Sequence, residues 1–177
     1  MEVLLVVALL GAVVGVAAAT RGTRPPRTRT AVLQLRAALV ETRALAMSNP
    51  GLPGSGATLS VNPSGSDTVI AVYKSRPIAG SILPIADVGF PKRRVPASIV
   101  LAGGGGALQP FSILVSSSGY ASVQEDYFFD PQRPATLTSD PGCDERDGVA
   151  IIVRDEVRSE RHILDCREVQ LEASPAP

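Results

Sequence analysis

The 177-residue chain has one histidine, two cysteines and no net charge, its 17 Lys and Arg balancing 17 Asp and Glu. Each shortage closes off a class of function. One His and two Cys supply too few ligands for a zinc site. His162 has no nucleophile set against it, because Cys166 lies four residues along the same candidate strand, so it reads as a surface or edge histidine. A balanced charge builds no field that would steer the whole protein toward nucleic acid or an acidic substrate. Cys143 and Cys166 lack the C-x-x-C spacing of a metal or redox motif. They are either two free thiols or a bridge, which in an oxidising compartment would close a loop of about two dozen residues and contribute about 3 kcal/mol. There is no internal repeat. Gly103 to Gly106 lack the following helix pattern and the Lys-Ser/Thr pair of a phosphate-binding loop. No cofactor is expected.

What is present is concentrated at the start. From Val3 to Ala19 the chain carries no charge, and Glu2 stands at the head of that run. As a helix the run would cover roughly 26 Å, marginally enough for a ~30 Å hydrocarbon layer. A cleavable secretory signal is the common alternative, and Ala17 to Ala19 supply small residues for one, but Glu2 occupies the region where such signals carry Lys or Arg. An acid beside hydrocarbon is costly and calls for a partner. The amino terminus of a neighbouring subunit would serve, fixing the stagger between two helices; the alternative is a Glu2 that sits among headgroups and pairs with nothing.

Glu2 followed by VLLVVALLGAVVGVAAA resembles the amino-terminal segment of type IV pilins and pseudopilins. That resemblance implies a register role in assembly for Glu2. It implies a membrane-anchor and filament-core role for Val3, Leu4, Leu5, Val6, Val7, Leu9, Leu10, Val13, Val14 and Val16. The family's basic leader and cleavage-site glycine are expected upstream of Met1. A basic leader would also offset Arg21, Arg24, Arg27 and Arg29, which otherwise conflict with the positive-inside rule.

Pro25 and Pro26 break the helical pattern within residues 21–29, after the hydrophobic segment 1–20. A second helix is expected over 30–49. Val32, Leu35, Leu39, Thr42 and Ala46 form its apolar stripe, Ala31, Ala38 and Leu45 widen it, Thr28 or Thr30 caps it, and Asn49-Pro50-Gly51 stops it. Residues 50–172 read as β-rich, with candidate strands over 57–61, 68–74, 97–102, 111–116, 120–124, 148–157 and 161–172, and a disordered tail at 173–177. The last candidate breaks its alternation between Ile163, Cys166 and Val169, which predicts a bulge or register change. The predicted fold is α+β: a long N-terminal helix, with a membrane-spanning half, a proline break and an amphipathic half, packed on an antiparallel β-sheet domain. AVLQLRAALVETRALAMSN followed by ATLSVNP is also similar to the H-type pseudopilins (GspH) of type II secretion and the FimT-type minor pilins.

Two charged groupings remain. Glu125, Asp126, Asp130, Asp140, Asp144, Glu145 and Asp147 surround Cys143 without EF-hand spacing, so a solvated acidic loop is the simpler reading than a calcium site, and no metal is expected. Lys92-Arg93-Arg94, and Arg154, Arg158 and Arg161, are basic, and FimT-type proteins include DNA binders. Here the latter, with Arg167 of the same hairpin, are interleaved with Asp155, Glu156, Glu160, Asp165 and Glu168, which would cancel much of the phosphate attraction, so DNA is not expected as a partner. The resemblance implies a non-enzymatic minor pilin or pseudopilin, in single pass across the inner membrane with its globular domain outside. Its partners would be other pilin or pseudopilin subunits, the inner membrane and assembly-platform proteins. A DNA-binding tip and an anchored hydrolase using the acidic loop are the rivals.

Overall fold

Pro26 sets where the helix begins. In a computed structural model, which describes residues 26–48, 56–74, 92–102, 108–125 and 148–174, Pro26 is extended (φ −50°, ψ 137°) and its carbonyl accepts the first helical bond, from Thr30 N at 3.2 Å. Helix α1 (Arg27–Met47) follows directly, since proline tolerates the position before the first turn but not the interior. Its N-cap residue, Pro26, makes no side-chain capping bond. At the other end Ser48 closes the last turn, its N–H donating to Ala44 O and its hydroxyl to Leu45 O.

The expected long N-terminal helix with a membrane-spanning half is corrected by these observations. The helix is 21 residues long and contains Arg27, Arg29, Arg36, Glu41 and Arg43. No helix among the described residues is long and apolar enough to cross a membrane, so a single-pass inner-membrane location is not supported. Residues 1–25, with Glu2 and the apolar run, lie outside the described residues. The single sheet is corrected as well: the strands make two.

The first sheet joins β1 (Gly56–Ser64), β2 (Asp67–Tyr73), β3 (Arg93–Val95), β5 (Phe111–Ser116) and β6 (Ala121–Glu125) in the order β3-β2-β1-β5-β6. The second joins β4 (Ser98–Leu101), β7 (Val149–Arg154), β8 (Ser159–Asp165) and β9 (Gln170–Ala173) in the order β4-β7-β8-β9. Every pairing is antiparallel. The β1–β2 loop is only Gly65-Ser66, with Ser64 opposite Asp67 and Gly65 at φ +63°, the positive value a two-residue hairpin needs at its first loop position. Pro63 is therefore inside β1, opposite Thr68; β1 pairs with β5 only from Gly56 to Val61, so Pro63 faces an unpaired side where its missing N–H costs no ladder bond.

The chain passes from one sheet to the other at Pro96-Ala97, between β3 and β4. Thr68 of β2 holds this corner. Its buried hydroxyl donates to Ala97 O at 2.8 Å and accepts from Ile99 N at 2.9 Å, so one side chain satisfies two backbone groups that the strand switch would strand.

The helix stripe, Ala31, Val32, Leu35, Ala38, Leu39, Thr42 and Ala46, is buried, as its spacing predicts. It shares one core with Leu59, Val61, Ile70, Ile113 and Val115 of the first sheet and Ile99, Ile151, Val153, Leu164 and Leu171 of the second. Thr42 tolerates burial because its hydroxyl donates to Ala38 O one turn back. The opposite face of the first sheet is buried too, through Thr58, Ser60, Ala71, Tyr73, Ser112 and Leu114. Burying a Leu35 or Leu39 side chain contributes roughly 2 kcal/mol each, which makes α1 an integral part of the body.

Candidate functional site

The segment 161–172 is a hairpin rather than one strand with a bulge. β8 and β9 are joined by Cys166–Val169, with Asp165 opposite Gln170. Asp165 Oδ1 accepts from Arg167 N (2.7 Å) and Glu168 N (3.1 Å), and Val169 closes the turn at φ +53° while buried. A β-branched residue in the left-handed region is a strained one, and it is held where the hairpin meets α1. Arg36 donates to Leu171 O at 3.0 Å and Arg43 donates to Glu168 O. Cys166, in the same turn, is buried and disulfide-bonded; Cys143 lies outside the described residues.

Further ties fix the helix along its length. Thr28 Oγ1 donates to Glu160 Oε1 at 2.8 Å, bringing the first turn of α1 to β8. Arg93 Nη2 reaches both oxygens of Glu41 at 2.8 Å, joining the middle of α1 to edge strand β3. These pairs account for the basic run at 92–94. Arg94 is bonded to Asp67 at 2.7 Å, so two of its three cations are neutralised by partners distant in sequence.

His162 is 5% exposed, in the centre of the second sheet, and not a surface residue. In β8, Glu160, His162 and Leu164 face the core side, and His162 stands opposite Ile151 of β7. Its Nε2 is 3.5 Å from Glu160 Oε2, beyond a well-formed hydrogen bond, and among the described residues neither ring nitrogen has a hydrogen-bond partner. Thr28, Glu160 and His162 thus form a row, but in the wrong order for nucleophilic catalysis. The carboxylate lies between hydroxyl and imidazole, whereas an activated hydroxyl needs the base against it and the carboxylate behind. The row joins helix to sheet.

Arg154 ends β7, Arg158 lies in the β7–β8 turn, and Arg161 is on β8. Ile152 is opposite Arg161 and Arg154 opposite Ser159, so Arg154 and Arg161 share the outward face of the second sheet. Of the acids between them, Asp155 and Glu156 stay beside Arg154 and only Glu160 is turned away. Glu160 points inward, and Asp155 Oδ1 accepts from Val157 N and Arg158 N, both at 2.8 Å. Those backbone donors, that of Val157 first, lower the Asp155 carboxyl from its usual range. Among the described residues no group of three His, Cys, Asp or Glu is placed to hold a metal. Of the acidic loop residues, Glu125 ends β6, exposed, and the others lie outside the described residues.

One feature is absent from the predicted sites. The solvent face of α1 is apolar too: Leu33 is 58% exposed, Val40 65% and Met47 53%, and Ala37 and Ala44 between them are also exposed. Their spacing of 4, 3, 4 and 3 residues is that of a coiled-coil seam. The signal lies in the sequence, hidden because the buried stripe satisfies the search for one apolar face. Beside the seam a groove of about 480 Å³ runs between α1 and β9, lined by Arg36, Leu39, Val40, Val169 and Leu171. No family model matches the chain, and no curated protein or solved structure matches it.

Proposed function

We propose that this protein is a non-enzymatic structural subunit of a pilin-like filament, of the kind built by type IV pili or type II secretion pseudopili, and that it works by packing. The observation that supports this reading is how α1 is fastened. It is the first described element after the apolar run, and it is tied at its start, middle and end to both sheets, through Thr28–Glu160, Glu41–Arg93, Arg36–Leu171 and Arg43–Glu168. A subunit held by its amino-terminal segment must pass load from that segment into its body, and α1 is built for that transfer. In this reading the run from Val3 to Val16 packs against other subunits and Glu2 sets their stagger.

The test is incorporation. In a host that assembles such filaments, the chain should appear in the sheared filament fraction, and Glu2→Ala should reduce that fraction at unchanged expression. Absence of the unaltered chain from the filaments would refute the subunit reading, and undiminished incorporation of Glu2→Ala would refute the register role. DNA capture is expected to fail: three arginines support only a shallow salt dependence, and the purified chain should pass through a DNA column at physiological salt.

A further inference from the structure

The exposed face of α1 also carries its own instructions for a partner. With Leu33, Val40 and Met47 at one core position of the heptad and Ala37 and Ala44 at the other, the flanking positions are fixed by the 3.5-residue period. One flank holds Arg29, Arg36 and Arg43; the other holds Gln34, Glu41 and Ser48. The opposite side of the helix, including Leu35, Ala38, Leu39 and Thr42, is already spent on the protein's own core.

We infer that α1 pairs with α1 of a second copy of this chain, parallel and in register, through Leu33, Ala37, Val40, Ala44 and Met47. The charge pattern chooses both occupant and direction. In a parallel pair a flanking residue meets the opposite flank of its partner five positions on, so Arg36 of each copy meets Glu41 of the other, and Arg29 meets Gln34. An antiparallel pair would set the arginine flank against the arginine flank, with Arg36 beside Arg43, and like charges penalise that arrangement. Arg36 and Glu41 can serve both roles. A guanidinium has five donors and Arg36 uses one on Leu171 O, while Glu41 stays 28% exposed beside Arg93 with lone pairs to spare. The two alanines let the backbones approach closely at alternate layers.

The seam is short. Leu33 to Met47 spans about 21 Å, and at a helix diameter of ~10–12 Å it offers roughly 200–300 Å² per chain, well below the ~800 Å² per partner of a standard stable interface. Pairing is therefore weak between free copies and grows where copies are held side by side. This inference stands on the helix face alone and does not require the filament reading.

Disulfide trapping on the full chain tests it. Leu33→Cys and Met47→Cys place single thiols at exposed positions, with Ser66→Cys, in the exposed β1–β2 loop, as the control. Under mild oxidation each seam variant should form same-position dimers faster than the control. An equimolar mixture of a tagged Leu33→Cys chain and an untagged Met47→Cys chain should give no mixed dimer above that control. Adding Arg36→Glu to Leu33→Cys should abolish its dimer, and mixing that chain with one carrying Glu41→Arg and Leu33→Cys should restore a mixed dimer. Trapping no faster than the control, or a dominant Leu33→Cys with Met47→Cys mixed dimer, would overturn the proposal.

Discussion

Gly148, just ahead of β7, allows a direct test of how closely the two strands of the last large hairpin approach. It has φ +63°, and a Cβ added there would lie 2.6 Å from Leu164 O and 2.8 Å from Ile163 Cγ2. Gly65, in the β1–β2 turn, has the same φ of +63° but nothing within 4 Å of its would-be Cβ. Alanine at either site bears the left-handed penalty of about 1 kcal/mol. At Gly148 it must also push the start of β7 away from backbone on β8, where Val149 pairs with Leu164. Overpacking of this kind costs a further ~1–3 kcal/mol. Gly148→Ala should therefore lose about 3 kcal/mol and Gly65→Ala about 1, which at ~2–4 °C per kcal/mol separates their melting points by roughly 4–8 °C. Because the chain has no tryptophan, far-UV circular dichroism through a urea titration is the suitable readout, the midpoint giving stability and the slope checking that the unfolded state is unchanged. Equal losses at the two glycines would show that the close approach at Gly148 does not exist.

Neighbouring residues on α1 should behave oppositely: Leu39→Ala, in the core, should cost ~2–5 kcal/mol, whereas Val40→Ala, on the solvent face, should change urea stability by less than about 0.5 kcal/mol. Thr68→Val keeps the shape of the corner residue but strands Ala97 O and Ile99 N, and at ~1–3 kcal/mol per unsatisfied buried group it should lose about 2–6 kcal/mol in the same assay. Asp155 is more acidic in the folded chain than in the unfolded one, so its stabilisation is present above its ordinary carboxyl pKa and disappears as pH falls through its lower folded value. Asp155→Ala should accordingly be less stable than the parent at neutral pH, with the two denaturation midpoints converging below pH 3.8.

How far the sequence revealed this fold depends on whether each signal is local. The stripe from Val32 to Ala46 was legible because one face of one helix repeats every turn, and the strands at 57–61 and 68–74 because their β-branched residues are local, although β1 runs on through Pro63 to Ser64. The β8–β9 turn was not, since Cys166-Arg167-Glu168-Val169 contains no Gly, Pro or Asn and uses a strained valine where a glycine would have announced itself. β3 was not among the candidate strands, because Arg93 and Arg94 read only as part of a basic run; their partners Glu41 and Asp67 are brought to them only by the tertiary fold. No local pattern shows that the chain changes sheets at Pro96-Ala97. His162 was misplaced for a related reason, because a lone imidazole between Arg161 and Ile163 gives no sign of which side of the strand faces in. The outer seam of α1 was present in the sequence but is informative only once the structure shows which apolar face the body has already covered.

The ties that fasten α1 also set an order of events in folding. Thr28 and Glu160 are 132 positions apart, and Arg36 and Leu171 are 135. Contacts so distant in sequence form late and slowly, and during synthesis they cannot form until nearly the whole chain has emerged. Until then α1 has neither its clamp at β8 nor its clamp at β9, and its buried stripe has only the first sheet to rest on, through Leu59, Val61, Ile70, Ile113 and Val115. The second-sheet share of the core, Ile151, Val153, Leu164 and Leu171, is thus the last to be covered, and closing the final hairpin leaves the outer seam as the apolar face of α1 still open.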